Sequence, residues 1–214
     1  KGLGLIIPKK ANRLAQSLFR EPRDGKLDKD QWPTTTQWSV KERCQSKYNI
    51  RQTYLWKGKE NVIWLIHGWE SNASRWENII PYVKKSGSTI VAIDAPAHGF
   101  SDGKEFNIPT YGEFIHFVVQ KFKAQFLIGH SLGGKACLYY QSVYQNESIK
   151  KIVVLGSTSD FKIIMQNYID LLSLNSKVSK SIEDYYWENF KFKLEDFSGK
   201  LFASKIKTTG LIVH

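Results

Sequence analysis

Ser131 sits in Gly129-His130-Ser131-Leu132-Gly133, a serine with glycine two residues away on each side. A hydroxyl in this pattern can attack an acyl carbon when the chain turns sharply from strand to helix beneath it, because the turn lifts the side chain clear of the backbone. The spacing suits such a turn. The serine backbone is strained there, and small neighbours let strand and helix come close. Attack at a carbonyl carbon throws negative charge onto the oxygen, so the site also needs two backbone N–H groups aimed at that atom. Leu132, just after the serine, supplies one, at a helix N-terminus whose dipole favours the same charge. The second is expected from His67-Gly68-Trp69, directly after an apolar run, with the Trp69 N–H as donor. His67 in this reading braces the loop and is not the base. The rival reading of Ser131 is a glycine-rich turn carrying an idle hydroxyl.

These groups must be placed by regular elements, and the flanking sequence has the right rhythm. Short apolar runs rich in β-branched residues occupy 61–66, 89–93, 125–128 and 151–155, as in parallel strands buried on both faces. Helical patterns lie between them at 74–85, 110–123 and 131–144. The second carries Phe114, Phe117, Val118 and Phe122 on one stripe and opens with Thr110 and Glu113 at capping-box spacing. Residues 49–56 read as an earlier strand, antiparallel to the rest. Alternation at this pitch predicts an α/β fold, a mostly parallel sheet flanked by helices. Residues 161–205 break the rhythm with helical, aromatic sequence, and residues 208–213 resume a strand. The expected organisation is a lead-in at 1–48, a core at 49–160, a helical lid at 161–205 and a returning core strand at 206–214. A longer crossover is the alternative to a lid. Within the lead-in, Leu14, Ala15, Leu18 and Phe19 form a short stripe, better suited to packing on the core than to anchoring at a membrane surface.

Composition narrows the partners. The net charge is +11, concentrated in residues 1–30, 41–60 and 191–207. No zinc-knuckle spacing, RNP-like aromatic segment or long basic run accompanies it, so the charge reads as a solvated surface and no nucleic-acid partner is expected. Peripheral membrane contact has no motif behind it. Cys44 and Cys137 are far apart and fit no metal or redox spacing, which points to a reducing, cytoplasmic setting. No run of 18 apolar residues is present, and residues 1–8 are too short for a signal-peptide core; the sequence begins without Met, which leaves secretion open.

A third loop, Asp94-Ala95-Pro96-Ala97-His98-Gly99-Phe100-Ser101-Asp102-Gly103, follows the run at 89–93. His-Gly-Trp after one strand, this loop after the next and Gly-His-Ser-Leu-Gly-Gly at the turn together resemble the α/β-hydrolase superfamily, its esterase- and lipase-like branch most. The resemblance covers about residues 50–160 and the strand near the end of the chain. It implies a serine hydrolase cleaving an ester or related acyl bond through an acyl-enzyme on Ser131, with oxyanion donors at Trp69 and Leu132 and no metal or organic cofactor. It implies a structural role for Asp94, His98 and Ser101 in shaping the pocket wall. In that family the triad acid follows the seventh strand and the histidine the eighth. Both would then lie beyond His214, making these residues a truncated, inactive piece of a longer chain. Asp160, after the sixth strand, is the alternative acid. The aromatic residues of the lid (Phe161, Tyr168, Tyr185, Tyr186, Trp187, Phe190 and Phe192) suggest an apolar acyl or aryl substrate. The competing expectation is a non-catalytic binding protein of the same fold.

Overall fold

The computed structural model describes residues 8–28, 30, 32–37, 39–45 and 50–214. Its strands are β1 (Val40–Gln45), β2 (Ile50–Trp56), β3 (Val62–Ile66), β4 (Thr89–Ile93), β5 (Phe126–His130), β6 (Lys151–Leu155) and β7 (Thr209–Val213). They form one sheet in the order β1-β2-β4-β3-β5-β6-β7. The pairs β1–β2 and β2–β4 are antiparallel, and every other pair is parallel. All four apolar runs become inner strands, but burial on both faces holds only for β3 and β4; in β5 and β6 buried residues alternate with exposed or partly exposed ones. Trp64, Leu65 and Ile66 of β3 and Ile90 to Ile93 of β4 are completely buried, which needs cover on both faces. The predicted strand at 49–56 is β2, antiparallel to β4 as expected, with Asn49 outside the described residues. β1 lies inside the segment read as a lead-in; its sequence Val-Lys-Glu-Arg-Cys-Gln has too few apolar residues to stand out.

The helices are α1 (Pro8–Arg20), α2 (Ile80–Lys84), α3 (Ile108–Phe122), α4 (Leu132–Tyr144), α5 (Phe161–Leu172), α6 (Ser176–Phe190) and α7 (Gly199–Ser204). On one face of the sheet, α3 and α4 pack through Tyr111, Ile115, Val118, Ala136, Cys137 and Tyr140. On the other, Trp76 and Ile80 close over Tyr54, Leu65 and Ile90. Two local expectations are corrected. The capping residue of α3 is Asn107, whose side chain accepts from the Thr110 N–H at 2.8 Å, so Thr110 lies inside the helix. The single helix expected over 74–85 is instead a 3-10 turn, Ala73–Trp76, followed by the short α2. Pro81 is the reason, since a residue without an N–H fits only the first turn of a helix and forces a new start there. Among the described residues, no helix is long and apolar enough to cross a membrane.

The lead-in is joined to the core. Gly99 N–H donates to Gly25 O at 2.7 Å and Leu27 N–H to Gly99 O, while Trp32 stacks on Phe100 at 4.2 Å between ring centroids.

Candidate active site

β5 ends at His130 and α4 begins at Leu132, so the whole reversal falls on Ser131. Its φ of 54° and ψ of −126° lie outside the regions open to an unstrained L-residue, a conformation that costs roughly 1–3 kcal/mol and persists only where the surroundings enforce it. They do so here. The Ser131 N–H donates to Leu155 O of β6 at 2.8 Å, and the Gly134 N–H returns to Ser131 O at 3.0 Å. Two glycines make room for the helix. A methyl group on Gly129 would lie 2.5 Å from the Gly134 Cα, and one on Gly133 would overlap the carbonyl oxygens of Ile66 and His67.

The loop after β3 reaches the same place. A Cβ on Gly68 would sit 2.9 Å from the Ser131 Cβ and 3.1 Å from the Leu132 nitrogen. Ser131, Leu132 and Trp69 all line one cavity of about 340 Å³. Among the described residues, no protein acceptor takes the Trp69 or Leu132 N–H. The rest of the wall is largely hydrocarbon: Phe106 and Ile108 from the core, Phe161, Ile164, Leu171 and Leu172 from α5, and Tyr186 from α6.

The polar loops beneath are fully engaged. His67 is completely buried. Its Nδ1 faces Gly68 O at 2.7 Å and its Nε2 accepts from the Ala95 N–H at 2.9 Å, which fixes the neutral tautomer protonated at Nδ1. Burial pushes its pKa down to about 3. His98 repeats the arrangement, with Nδ1 to Pro96 O at 2.8 Å and Nε2 accepting from the Glu70 N–H at 2.9 Å; burial lowers its pKa to about 4. Asp94 accepts from the Ala73 and Phe100 N–H groups and from the Tyr54 hydroxyl, yet complete burial still raises its pKa to about 6. Ser101 donates to Asp94 O and accepts from the Gln52 N–H. All four side chains hold loops in place.

The remaining histidines are elsewhere. His130 Nε2 meets the Arg75 guanidinium at 2.8 Å, and His116 stacks on Tyr144 and contacts Gln120. His214 ends the chain just after β7. No histidine among the described residues hydrogen-bonds the Ser131 hydroxyl. Asp160 is half-buried immediately before α5.

One group beside the site escaped the sequence reading. Lys135, one turn along α4 from Ser131, is completely buried, and its Nζ has no hydrogen-bond partner among the described residues. The Phe161 ring, 5.9 Å away, gives it weak cation–π support. Burial lowers its pKa to about 8, against the opposing pull of Asp160. Replacing an uncompensated buried cation with a hydrophobe of similar length removes a desolvation cost. Lys135→Met is therefore expected to be more stable by about 2 kcal/mol at pH 7, measured by urea unfolding. The folded lysine loses its proton near pH 8 and the unfolded one near 10.5, so the burial cost is full below pH 8. It is relieved as pH rises between those values, and the advantage of the variant should narrow across that window. A variant no more stable than the parent at pH 7 would show that the ammonium is compensated.

Comparison with known proteins matches residues 61–204 to the sequence model of the alpha/beta hydrolase fold. Among curated proteins, a protein phosphatase methylesterase 1 of Candida albicans is 26% identical over 113 residues, 49% of this chain and 31% of that protein. A bifunctional esterase/perhydrolase of Acinetobacter calcoaceticus is 26% identical over 134 residues, 60% of this chain and 47% of that protein. A probable serine hydrolase of Drosophila melanogaster is 32% identical over 106 residues, 46% of this chain and 31% of that protein. The chain thus spans between about a third and a half of these relatives. Among solved structures, an esterase from Pyrococcus furiosus superposes with a TM-score of 0.62 at 16% identity, covering 90% of this chain and 75% of that one. A thioesterase domain from the curacin biosynthetic pathway gives 0.52 at 20% identity, covering 77% and 67%. At such identities the likeness is one of fold.

Proposed function

The chain belongs to the alpha/beta hydrolase fold family, and from that premise we propose that it is the nucleophile-bearing part of a serine hydrolase that cleaves an ester or related acyl bond. The observation that carries the proposal is the strained Ser131 on the wall of an apolar cavity that Trp69 and Leu132 share. In this reading the Ser131 Oγ attacks the acyl carbon as its proton passes to a histidine. The carbonyl oxygen takes up the charge and accepts from the Trp69 and Leu132 N–H groups. Collapse expels the alcohol on the returned proton, and water then frees the acid from Ser131. The histidine and its acid are supplied by the whole protein outside these 214 residues. Helices α5 and α6 act as a lid over the cavity. Cys44 and Cys137, both free and buried, fit a cytoplasmic setting.

Treating the whole protein with a fluorophosphonate tests the reading. The phosphonyl adduct should appear on the peptide containing Ser131, as read by mass spectrometry. A protein that stays unmodified, or carries the adduct only on another residue, would defeat it. A second reading, a binding protein that has lost turnover, is favoured by the histidines above, none of which contacts the Ser131 hydroxyl. It predicts ligand binding without labelling.

A further inference from the structure

We infer that helix α1, which lies outside the segment matched by the family's sequence model, is part of the substrate site and limits the length of acyl chain that can lie against Ser131. The inference rests on the hydrolase reading for its chemistry and on the cavity for its geometry. Leu18 and Phe19 of α1 line the same cavity as Ser131, and Arg23 just beyond the helix stands at its edge. Phe19 packs against Phe161, Tyr168 and Tyr186, with ring centroids at 5.8, 4.9 and 6.2 Å. The C-terminal half of the helix is tied down. The Tyr168 hydroxyl donates to Ala15 O at 2.7 Å, and Gln16 Nε2 donates to Ser181 O at 3.1 Å. The Arg20 guanidinium lies 3.7 Å above the Tyr185 ring and pairs with Glu105, which also accepts from the Tyr185 hydroxyl at 2.9 Å. A helix held by so many contacts to α5, α6 and the loop before α3 makes a fixed wall.

The chemistry of that wall selects the ligand. Arg23 is the single charged residue lining the cavity among the described residues, and it pairs with Glu70 at 3.1 Å. A charged acyl group would find no partner and would lose its hydration. At about 30 Å³ per methylene-sized group, the share of a water molecule in the liquid, a cavity of about 340 Å³ holds roughly ten such groups. The expected acyl group is uncharged and medium-length, hexanoyl to decanoyl.

The test is the hydrolysis of p-nitrophenyl esters from acetate to palmitate by the whole protein. We expect kcat/KM to peak between hexanoate and decanoate. Leu18→Trp, which fills the cavity, should lower the octanoate-to-acetate ratio of kcat/KM at least about tenfold, and Leu18→Ala should move the peak to longer chains. Titration of octanoic acid into the Ser131→Ala protein by calorimetry reads the pocket without the chemistry, and Leu18→Trp should weaken that binding about tenfold. An acetate optimum, or a chain-length profile unmoved by either Leu18 variant, overturns the inference even if Ser131 is labelled. Octanoate binding that responds to Leu18, in a protein that hydrolyses nothing, overturns the hydrolase reading and leaves the pocket assignment standing. Neither hydrolysis nor binding overturns both.

Discussion

Ser131→Ala should lower ester hydrolysis by the whole protein by roughly 10,000-fold or more, and should leave the fold intact. The size follows from how a nucleophile acts. Its removal costs as much as losing the whole relay, because base and acid have nothing to activate, and only binding and the oxyanion donors still act. The intact fold follows from the position. The Ser131 backbone, not its hydroxyl, makes the contacts that hold the turn, through its N–H to Leu155 and its carbonyl to Gly134. Alanine keeps both and bears the same strain at φ 54°. Glycine carries no such strain, so Ser131→Gly should match the alanine variant in lost activity and exceed it in melting temperature. Initial rates and thermal melts on the three proteins decide the matter. An alanine variant that keeps more than about a hundredth of the parental rate would remove Ser131 from the reaction.

Strands β3 and β4 were legible because burial on both faces leaves an unbroken apolar run, whereas β7 was legible from its apolar residues although every one of them is exposed. The turn at Ser131 was legible for a related reason: only glycine fits where α4 meets β3 and β5, so the packing constraint is written into residue identity. What escaped notice lacked such a signature. β1 is a charged strand paired on one side with β2, and its sequence carries no alternation strong enough to mark it. The cap of α3 fell to Asn107 because Pro109, at the start of the helix, has no N–H and fits the first turn, which places the boundary before Thr110. Lys135 reads as an ordinary helix-surface lysine, since nothing local tells that Phe161, 26 residues further along, will close over it. The place of α1 beside the cavity was hidden for the same reason. Its stripe predicted a helix packed on the core, but that Leu18 and Phe19 would line the cavity that Ser131 lines depends on α5 and α6, which are distant in sequence.

Gly133→Ala should be the most destabilising single-methyl addition near the site, at about 4 kcal/mol or more, enough to abolish fluorophosphonate labelling through loss of the folded state. The argument turns on what the new Cβ meets. At Gly133 it overlaps two backbone carbonyl oxygens, Ile66 O and His67 O, at the very end of β3. Neither can move alone, because Ile66 is registered against Ile93 of β4 and Gly129 of β5. The only relief is to tilt α4 away from the sheet, which carries the Leu132 N–H away from the loop bearing Trp69. Gly134 provides the control. A methyl there lies 2.8 Å from Val154 Cγ1, a side-chain atom that can rotate, and 3.1 Å from Gly129 O. Gly134→Ala is expected to cost about 1–2 kcal/mol and to keep labelling. Urea unfolding of the two variants separates a contact with backbone from a contact with a side chain. Should Gly133→Ala unfold at the same urea concentration as the parent, the helix does not press on the strand end as described.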